Sequence, residues 1–473
     1  MSKNLGSEIK ESLLSSTSHG IPNMIRSDKL ALRLMWIFFT IVSTGLCSYM
    51  IVQSIMNYLR FETTSKIQIH SETSSIFPAV TICNMNYFTS EYSAEFIGNL
   101  SLNISSYSYF DYDKYFTATQ IIMINEELTS ESYKFGDSFE KLILHCKLLT
   151  IDCNKKEYWT YYYHQIYGNC YQINSDRENL IRLSRTGWFN SLSIILNISL
   201  ADGLEDLYGS IGAIVMIHNQ TTSPLSAFAV AVAPGVETSI GISRQFKSSL
   251  PKPYSNCDGD TSNLNVFNSK LFQLIISKNI SYNQKLCIDL CFQDLIIQEC
   301  RCFYSGFPFF GDNSIKRCFN DTQYECLNSK FENDFKDSNI VKDICQPQCP
   351  LECNSMNYKI HYSFNDFLNE KNNEDLNDFY NFTGPNRRQM KKDLVSLYFY
   401  YETLSYEEIT EKESVDLVGL LSNIGGIAGL FLGISFLSLV EIIEIAFKIL
   451  YFIIRRIKVE KIENFSHDLK QPS

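Results

Sequence analysis

Two long apolar stretches, one near each end of the chain, enclose a middle in which apolar residues come only in short runs. From Leu34 to Leu59 there are 26 residues without a charge (LMWIFFTIVSTGLCSYMIVQSIMNYL), about 39 Å as a helix and long enough to cross a bilayer. A signal peptide or a buried core helix competes with that reading. The run is too long for either, 33 mostly polar residues precede it, and no small-residue cleavage site follows. The second stretch covers Val415 to Ile454, 40 residues with an uncharged part from Leu417 to Val440. As one helix it would measure about 60 Å, roughly twice a hydrocarbon core, so it must protrude, bend or break. The pattern therefore predicts a cytoplasmic segment 1–33, a first span 34–59, an extracellular domain 60–414, a second span 415–454 and a cytoplasmic tail 455–473.

Within the middle, β-branched runs bounded by turn residues predict strands at Ile76 to Ile82, Leu192 to Leu200, Ala213 to His218, Ala227 to Ala233 and the aromatic Leu394 to Leu404. Phe135 to Leu149 has helical spacing, and Leu271 to Glu299 is helical in composition. Cys287 and Cys291 lie four apart and so on one helix face. Cys345, Cys349 and Cys353 repeat that spacing, which suggests two antiparallel segments joined by nested disulfides, with Cys300, Cys302, Cys318 and Cys326 closing the loop between them. Of 15 cysteines, 14 fall between Cys83 and Cys353, a density that implies an oxidising compartment. Zinc is the competing reading, but Cys300-x-Cys302 lacks the usual two-residue gap and no His is near.

Charge orients the chain. Arg26, Lys29 and Arg33 precede the first span, and Arg455, Arg456, Lys458 and Lys461 follow the second, which predicts both termini in the cytoplasm. Residues 34–414 hold 30 basic and 43 acidic residues, a charge of -13. With no basic patch in that background, nucleic acid is not an expected partner. N-x-S/T triplets at Asn99, Asn103, Asn197, Asn219, Asn279, Asn320 and Asn381 fall in the extracellular part, and Asn464 alone in the tail.

Gly425, Gly429 and Gly433 recur every four residues in the second span, a stripe on which another helix can approach closely. Glu441 and Glu444, three apart, lie in the same apolar segment, where an ionised carboxylate costs about 2.5 kcal/mol or more unless it meets water or a partner. A watery lumen answers that cost.

The stretch Phe77-Pro-Ala-Val-Thr-Ile-Cys-Asn84, the pair His19-Gly20, the Ala233-Pro-Gly235 turn and the segment Gly429-Leu-Phe-Leu-Gly-Ile-Ser-Phe-Leu-Ser-Leu-Val-Glu441 together resemble the degenerin/epithelial sodium channel superfamily, which includes acid-sensing and peptide-gated channels. The overall look is most similar to the peptide-gated sodium channels of cnidarians. The resemblance implies an integral membrane α+β fold: two transmembrane helices flank a disulfide-rich extracellular domain of palm, finger and thumb, assembled as a homo- or heterotrimer around a pore. It implies the pairs Cys83–Cys170, Cys146–Cys153, Cys257–Cys353, Cys287–Cys349, Cys291–Cys345, Cys300–Cys326 and Cys302–Cys318, and leaves Cys47 free in the membrane. Gly433-Ile434-Ser435 corresponds to the Gly-x-Ser filter, with the bulky Ile434 where relatives commonly carry a small residue. His19 and Gly20 correspond to a cytoplasmic gating motif, and Tyr58 with Tyr254 to the pair coupling the extracellular domain to the spans. In a threefold assembly Asp416 would ring the outer mouth and Glu441 and Glu444 the inner one, concentrating cations.

The expected function is a ligand-gated, sodium-permeable cation channel of the plasma membrane that passes calcium as well, is blocked by amiloride and is opened by an extracellular neuropeptide. No cofactor or metal is expected. Proton or mechanical gating within the same family is the alternative. An acid sensor should carry clustered carboxylates after the Ala-Pro-Gly turn, where Val236 to Ser243 holds only Glu237; Glu332, Asp334, Asp337 and Asp343 fit a solvated thumb face. An ATP-gated channel shares the topology but should have fewer cysteines and clustered basic residues. A membrane-anchored receptor or adhesion protein would not need acids in lipid. No G-x-S-x-G, HExxH or phosphate loop occurs, and His70, His145, His164, His218 and His361 are scattered, so an enzyme is not expected.

Overall fold

A computed structural model describes residues 14, 20–99, 118–119, 121–122, 130–176, 178–259, 261, 267–311, 314–318, 320–334, 338–367, 392–438, 440–441, 443–444, 446–448, 450–451 and 454. The chain divides into two compact units: residues 1–64 with 412–473, and Ser65–Glu411.

The first unit is helical. It holds α1 (Gly20–Arg26), α2 (Leu30–Leu59) and a helix Leu417–Leu432 near the other end of the chain. Helix α2 begins four residues before the predicted span and ends at Leu59. Its 30 residues contain no proline, and the chain leaves helical geometry at Phe61, which has a positive φ of 51°. It is long and apolar enough to cross a membrane. Both α1 and Leu417–Leu432 pack against it.

The second unit is a β-rich body. Its larger sheet runs β15 (Asn354–Asp366), β12 (Val236–Ser248), β16 (Leu394–Glu413), β9 (Leu192–Asn197), β4 (Ile143–Leu148) and β5 (Ile151–Asp152), with β1 (Thr63–His70) also on β16. A second sheet runs β11 (Phe228–Val232), β10 (Ala213–His218), β3 (Ala79–Asn84), β7 (Gly168–Ile173) and β6 (Trp159–His164). Strands β3, β7 and β10 are buried at every residue, as strands covered on both faces are. Strand β9 alternates buried and half-buried residues, the signature of one face on the core. A single apolar cluster joins both sheets through Phe77, Val80, Trp159, Val215, Ile240 and Phe399.

Several elements differ from the sequence expectation. The predicted strand Ile76 to Ile82 is split at Pro78, which has no N–H to give a ladder: β2 (Ser75–Ile76) pairs with β8 (Arg182–Leu183), while β3 lies in the other sheet. Phe135 to Leu149 is not a helix. Only Phe139–Leu142 is helical, capped by Ser138, and from Ile143 the chain becomes β4 and pairs with β9. The apolar Ile143, Cys146 and Leu148 gain more from burial in the sheet than from a surface helix. Leu271 to Glu299 is two helices, α3 (Lys270–Ser277) and α4 (Gln284–Cys300), divided at Asn279 (φ 56°) and restarted by the Asn283 side chain, which accepts the Leu286 N–H at 2.7 Å. Of the predicted antiparallel cysteine segment, Cys345 and Cys349 face α4. Cys353 leaves that segment for Cys257, the pair the resemblance implies, beside the short parallel pair β13 (Cys257–Asp258) and β14 (Leu351–Glu352).

The parallel pairing of β12 with β16 slips between Ile242 and Arg244, whose partners are Tyr401 and Tyr406, so Glu402 to Ser405 bulge out. Arg244 fills the irregularity. Its Nη2 donates to Glu72 Oε2 and to the Leu404 carbonyl, both at 2.8 Å, and its guanidinium lies 5.5 Å from the Tyr401 ring and 5.4 Å from the Tyr406 ring.

Candidate functional site

The C-terminal apolar segment breaks where its composition allows. Helix α5 (Leu417–Leu432) starts on Asp416, whose Oδ1 accepts the Gly419 N–H at 2.7 Å, and stops at Gly433 with φ 67°. Only glycine takes that left-handed geometry without strain. The Gly433 N–H donates to the Gly429 carbonyl at 3.0 Å, which closes the helix end. Ile434 and Ser435 are non-helical, and helix resumes at Phe436 and recurs through the described residues to Ile454. Ser438 secures the new start: its Oγ accepts the Ser435 N–H at 3.0 Å, and its own N–H donates to the Ser435 carbonyl at 3.0 Å. A 16-residue helix, an irregular triplet and a second helical stretch thus replace the single 60 Å rod.

Around this break the surface suits hydrocarbon rather than water. Ile41 on α2 is 66% exposed, and on α5 Val418 is 69% and Leu430 80% exposed. Among the described residues, a side chain added at Gly425 or Gly426 would meet nothing within 4 Å.

The acids have different surroundings. Asp416 is a helix cap. Glu444 is exposed and pairs with Lys448 at 2.8 Å, and Glu441 is half-buried. In α1, a Cβ on Gly20 would fall 2.7 Å from Thr40 Oγ1 of α2, so glycine permits this close helix contact; His19 lies outside the described residues. The Tyr58 ring is 6.3 Å from that of Phe61, and the Tyr254 N–H donates to the Pro251 carbonyl at 3.1 Å. Tyr58 belongs to the helical unit and Tyr254 to the body.

In the body the chain brings together Cys83–Cys170, Cys146–Cys153, Cys257–Cys353, Cys287–Cys349, Cys291–Cys345, Cys300–Cys326 and Cys302–Cys318, with Cα separations from 4.3 to 5.8 Å. Cys47 is a free, buried cysteine. Among the acceptor triplets, Asn99, Asn279 and Asn320 are exposed, and Asn197 and Asn219 are half-buried. Asn103, Asn381 and Asn464 lie outside the described residues.

Two features of the body carry no sequence signal. A cavity of about 1380 Å³ opens beside Tyr92, Tyr133, Tyr161, Tyr163 and Tyr171. Its wall is pinned by Lys141, whose ammonium donates to the carbonyls of Thr89 and Ser199 at 2.8 Å and pairs with the buried Asp137 at 2.7 Å. The second is titration. Burial raises the Asp289 carboxyl on α4 to about 6, against a smaller opposing effect of Lys285, and burial lowers His164 to about 4. His164 stays neutral near pH 7, and its Nδ1 accepts the N–H groups of Ile166 and Tyr167 at 3.1 and 3.3 Å.

Residues 13–445 match the family model described as amiloride-sensitive sodium channel. The epithelial sodium channel subunit alpha of Neoceratodus forsteri is 28% identical over 362 residues, covering 72% of this chain and 51% of that protein. Acid-sensing ion channel 2 of Rattus norvegicus is 24% identical over 487 residues, covering 96% of this chain and 88% of that protein. A cryo-EM structure of a proton-activated chloride channel covers 88% of this chain and 98% of its own at a TM-score of 0.35 and 6% identity, too low to imply a shared fold. The chain spans about half the length of the epithelial sodium channel subunits it matches.

Proposed function

The chain belongs to the amiloride-sensitive sodium channel family, and on that premise we propose that it is a pore-forming subunit of a ligand-gated, sodium-permeable cation channel of the plasma membrane. The observation that carries this reading is the break at Gly433-Ile434-Ser435 inside an otherwise apolar helical segment. Irregular backbone at membrane depth is tolerated only where protein buries it or it lines a water-filled path. Backbone carbonyls and the Ser435 hydroxyl supply oxygens that can replace an ion's hydration shell, so this triplet is the proposed selectivity filter. Gly425 and Gly426, where an added Cβ meets nothing within 4 Å among the described residues, suit close approach of a neighbouring subunit, which supports assembly as a homo- or heterotrimer with homologous subunits. In that assembly Leu417 to Ile454 forms the second span, both termini are cytoplasmic, and Asp416, Glu441 and Glu444 attract sodium and calcium.

An extracellular amidated peptide is the proposed opener and amiloride the proposed blocker. The tyrosine-rich cavity has room for a short peptide, and the net charge of residues 34–414 favours encounter with a basic one. Tyr58 and Tyr254 are proposed to couple the body to the spans, and His19 with Gly20 to act on the inner pore. A second reading, gating by protons, is favoured by one observation: Asp289 on the cysteine-braced helix α4 is raised to about 6, where an acid step would neutralise it.

The test is voltage clamp of cells expressing the subunit alone and with sibling subunits, under acid steps, membrane stretch and a panel of amidated peptides. Amiloride-blocked sodium current evoked by a peptide is the expected result. Current evoked by acid and by no peptide in any combination overturns peptide gating, and no current under acid, peptide or membrane stretch in any combination overturns the channel reading.

A further inference from the structure

A hydroxyl on the first apolar helix reaches the end of the other one, immediately before the break. Ser43 Oγ on α2 donates to the Phe431 carbonyl at 2.7 Å, across 388 residues of sequence. Its neighbours behave differently. Thr40 Oγ1 donates to the Trp36 carbonyl at 2.7 Å and Thr44 Oγ1 to the Thr40 carbonyl at 2.8 Å, the local bond to the preceding turn that serine and threonine usually make in apolar helices. Ser43 departs from that habit, and its partner explains why. The left-handed turn at Gly433 ends α5, and Phe431 lies within the last turn, whose carbonyls have no N–H ahead of them in the helix. In hydrocarbon no water can satisfy such a group.

We propose that Ser43 is a positioning residue for the Gly433-Ile434-Ser435 triplet: by holding the Phe431 carbonyl it fixes where α5 stops and how the triplet's carbonyls are presented. This rests on the filter reading for its consequence in permeation, but the anchor itself does not. Loss of one interhelical hydrogen bond of this kind changes a local equilibrium by about threefold on average and by roughly fifteenfold at most.

The test compares Ser43→Ala, which removes the hydroxyl, with Ser43→Thr, which keeps it, in the full-length protein purified in detergent. Hydrogen exchange is followed at the Gly433 and Ile434 amides, with amides of β3 and β10 as the folding control. Ser43→Ala should exchange about three- to fifteenfold faster at the break with unchanged controls, and Ser43→Thr should exchange like wild type. Equal exchange in wild type and Ser43→Ala, or Ser43→Thr behaving like Ser43→Ala, overturns the anchor. The same variants under voltage clamp, with the acid steps, membrane stretch and peptide panel, should show a shifted sodium-to-potassium permeability ratio for Ser43→Ala that Ser43→Thr restores. An unshifted ratio in a conducting Ser43→Ala overturns the positioning role in permeation. If no variant and no wild type conducts, the channel reading fails while the exchange result still decides the anchor.

Discussion

Asp416 carries two assignments that one pair of substitutions separates. In the structure its Oδ1 accepts the Gly419 N–H at 2.7 Å and starts α5; in the proposed pore its charge draws cations to the outer mouth. Asn caps a helix as well as Asp does, so Asp416→Asn keeps the cap and loses the charge, whereas Asp416→Ala loses both. The cap contributes about 1 kcal/mol and the carboxylate's attraction to the helix dipole about 0.3–1 kcal/mol more. Asp416→Ala should therefore loosen the first turn of α5 roughly 10- to 30-fold, and Asp416→Asn about two- to fivefold. Hydrogen exchange at Gly419 and Leu420, whose N–H groups bond to the Asp416 side chain and carbonyl, reads that order directly. Calcium permeability relative to sodium reads the charge, and there the two variants should fall by the same amount because each removes the same carboxylate. Equal exchange in Asp416→Asn and Asp416→Ala would refute the cap. Permeability that follows the exchange order, with Asp416→Asn close to wild type, would refute the charge.

Three further outcomes follow from the body. Arg244→Ala should cost about 2–4 kcal/mol, below the value for a fully buried pair because Glu72 keeps 35% of its side-chain surface in water; a thermal unfolding shift of the full chain in detergent worth less than 1 kcal/mol would contradict it. Site mapping by mass spectrometry should find glycans on the exposed Asn279 and Asn320 and none on Asn219, whose Nδ2 lies 3.6 Å from Met356 Sδ; a glycan on Asn219 would show that its side chain is free. The folded-state value of His164, about 4, lies below its ordinary 6.5, so its contribution to stability is complete above pH 6.5 and is lost progressively as pH falls toward 4. His164→Gln should flatten the stability profile across that window, and an unchanged slope would count against a buried neutral imidazole.

Much of this was legible in the sequence where one physical signal dominated. Ala213 to His218 is a strand as predicted: five consecutive apolar residues and His218 are all buried. The first long apolar helix could be read from its uncharged length. The break at Gly433 is one of three outcomes that a 60 Å segment allowed, and glycine marked the place. The spacing of Phe135 to Leu149 misled because partial helical periodicity yields to pairing with β9, a contact about 50 residues away that no local pattern reveals. Asp416 before an apolar run is an N-cap signal as much as a pore acid, and the structure shows the cap. Ser43 was invisible: one serine in an apolar helix has no pattern, and its role appears only when Phe431 is placed beside it.

Passage of ions at Gly433-Ile434-Ser435 is read by the reversal potential of the expressed channel in sodium, potassium and calcium solutions for wild type, Gly433→Ala, Ile434→Ala and Ser435→Ala. Wild type should prefer sodium over potassium, and Gly433→Ala and Ser435→Ala should shift the permeability ratios while surface expression is retained. Conducting variants at all three positions with the permeability ratios of wild type would place the filter elsewhere and contradict passage at this triplet.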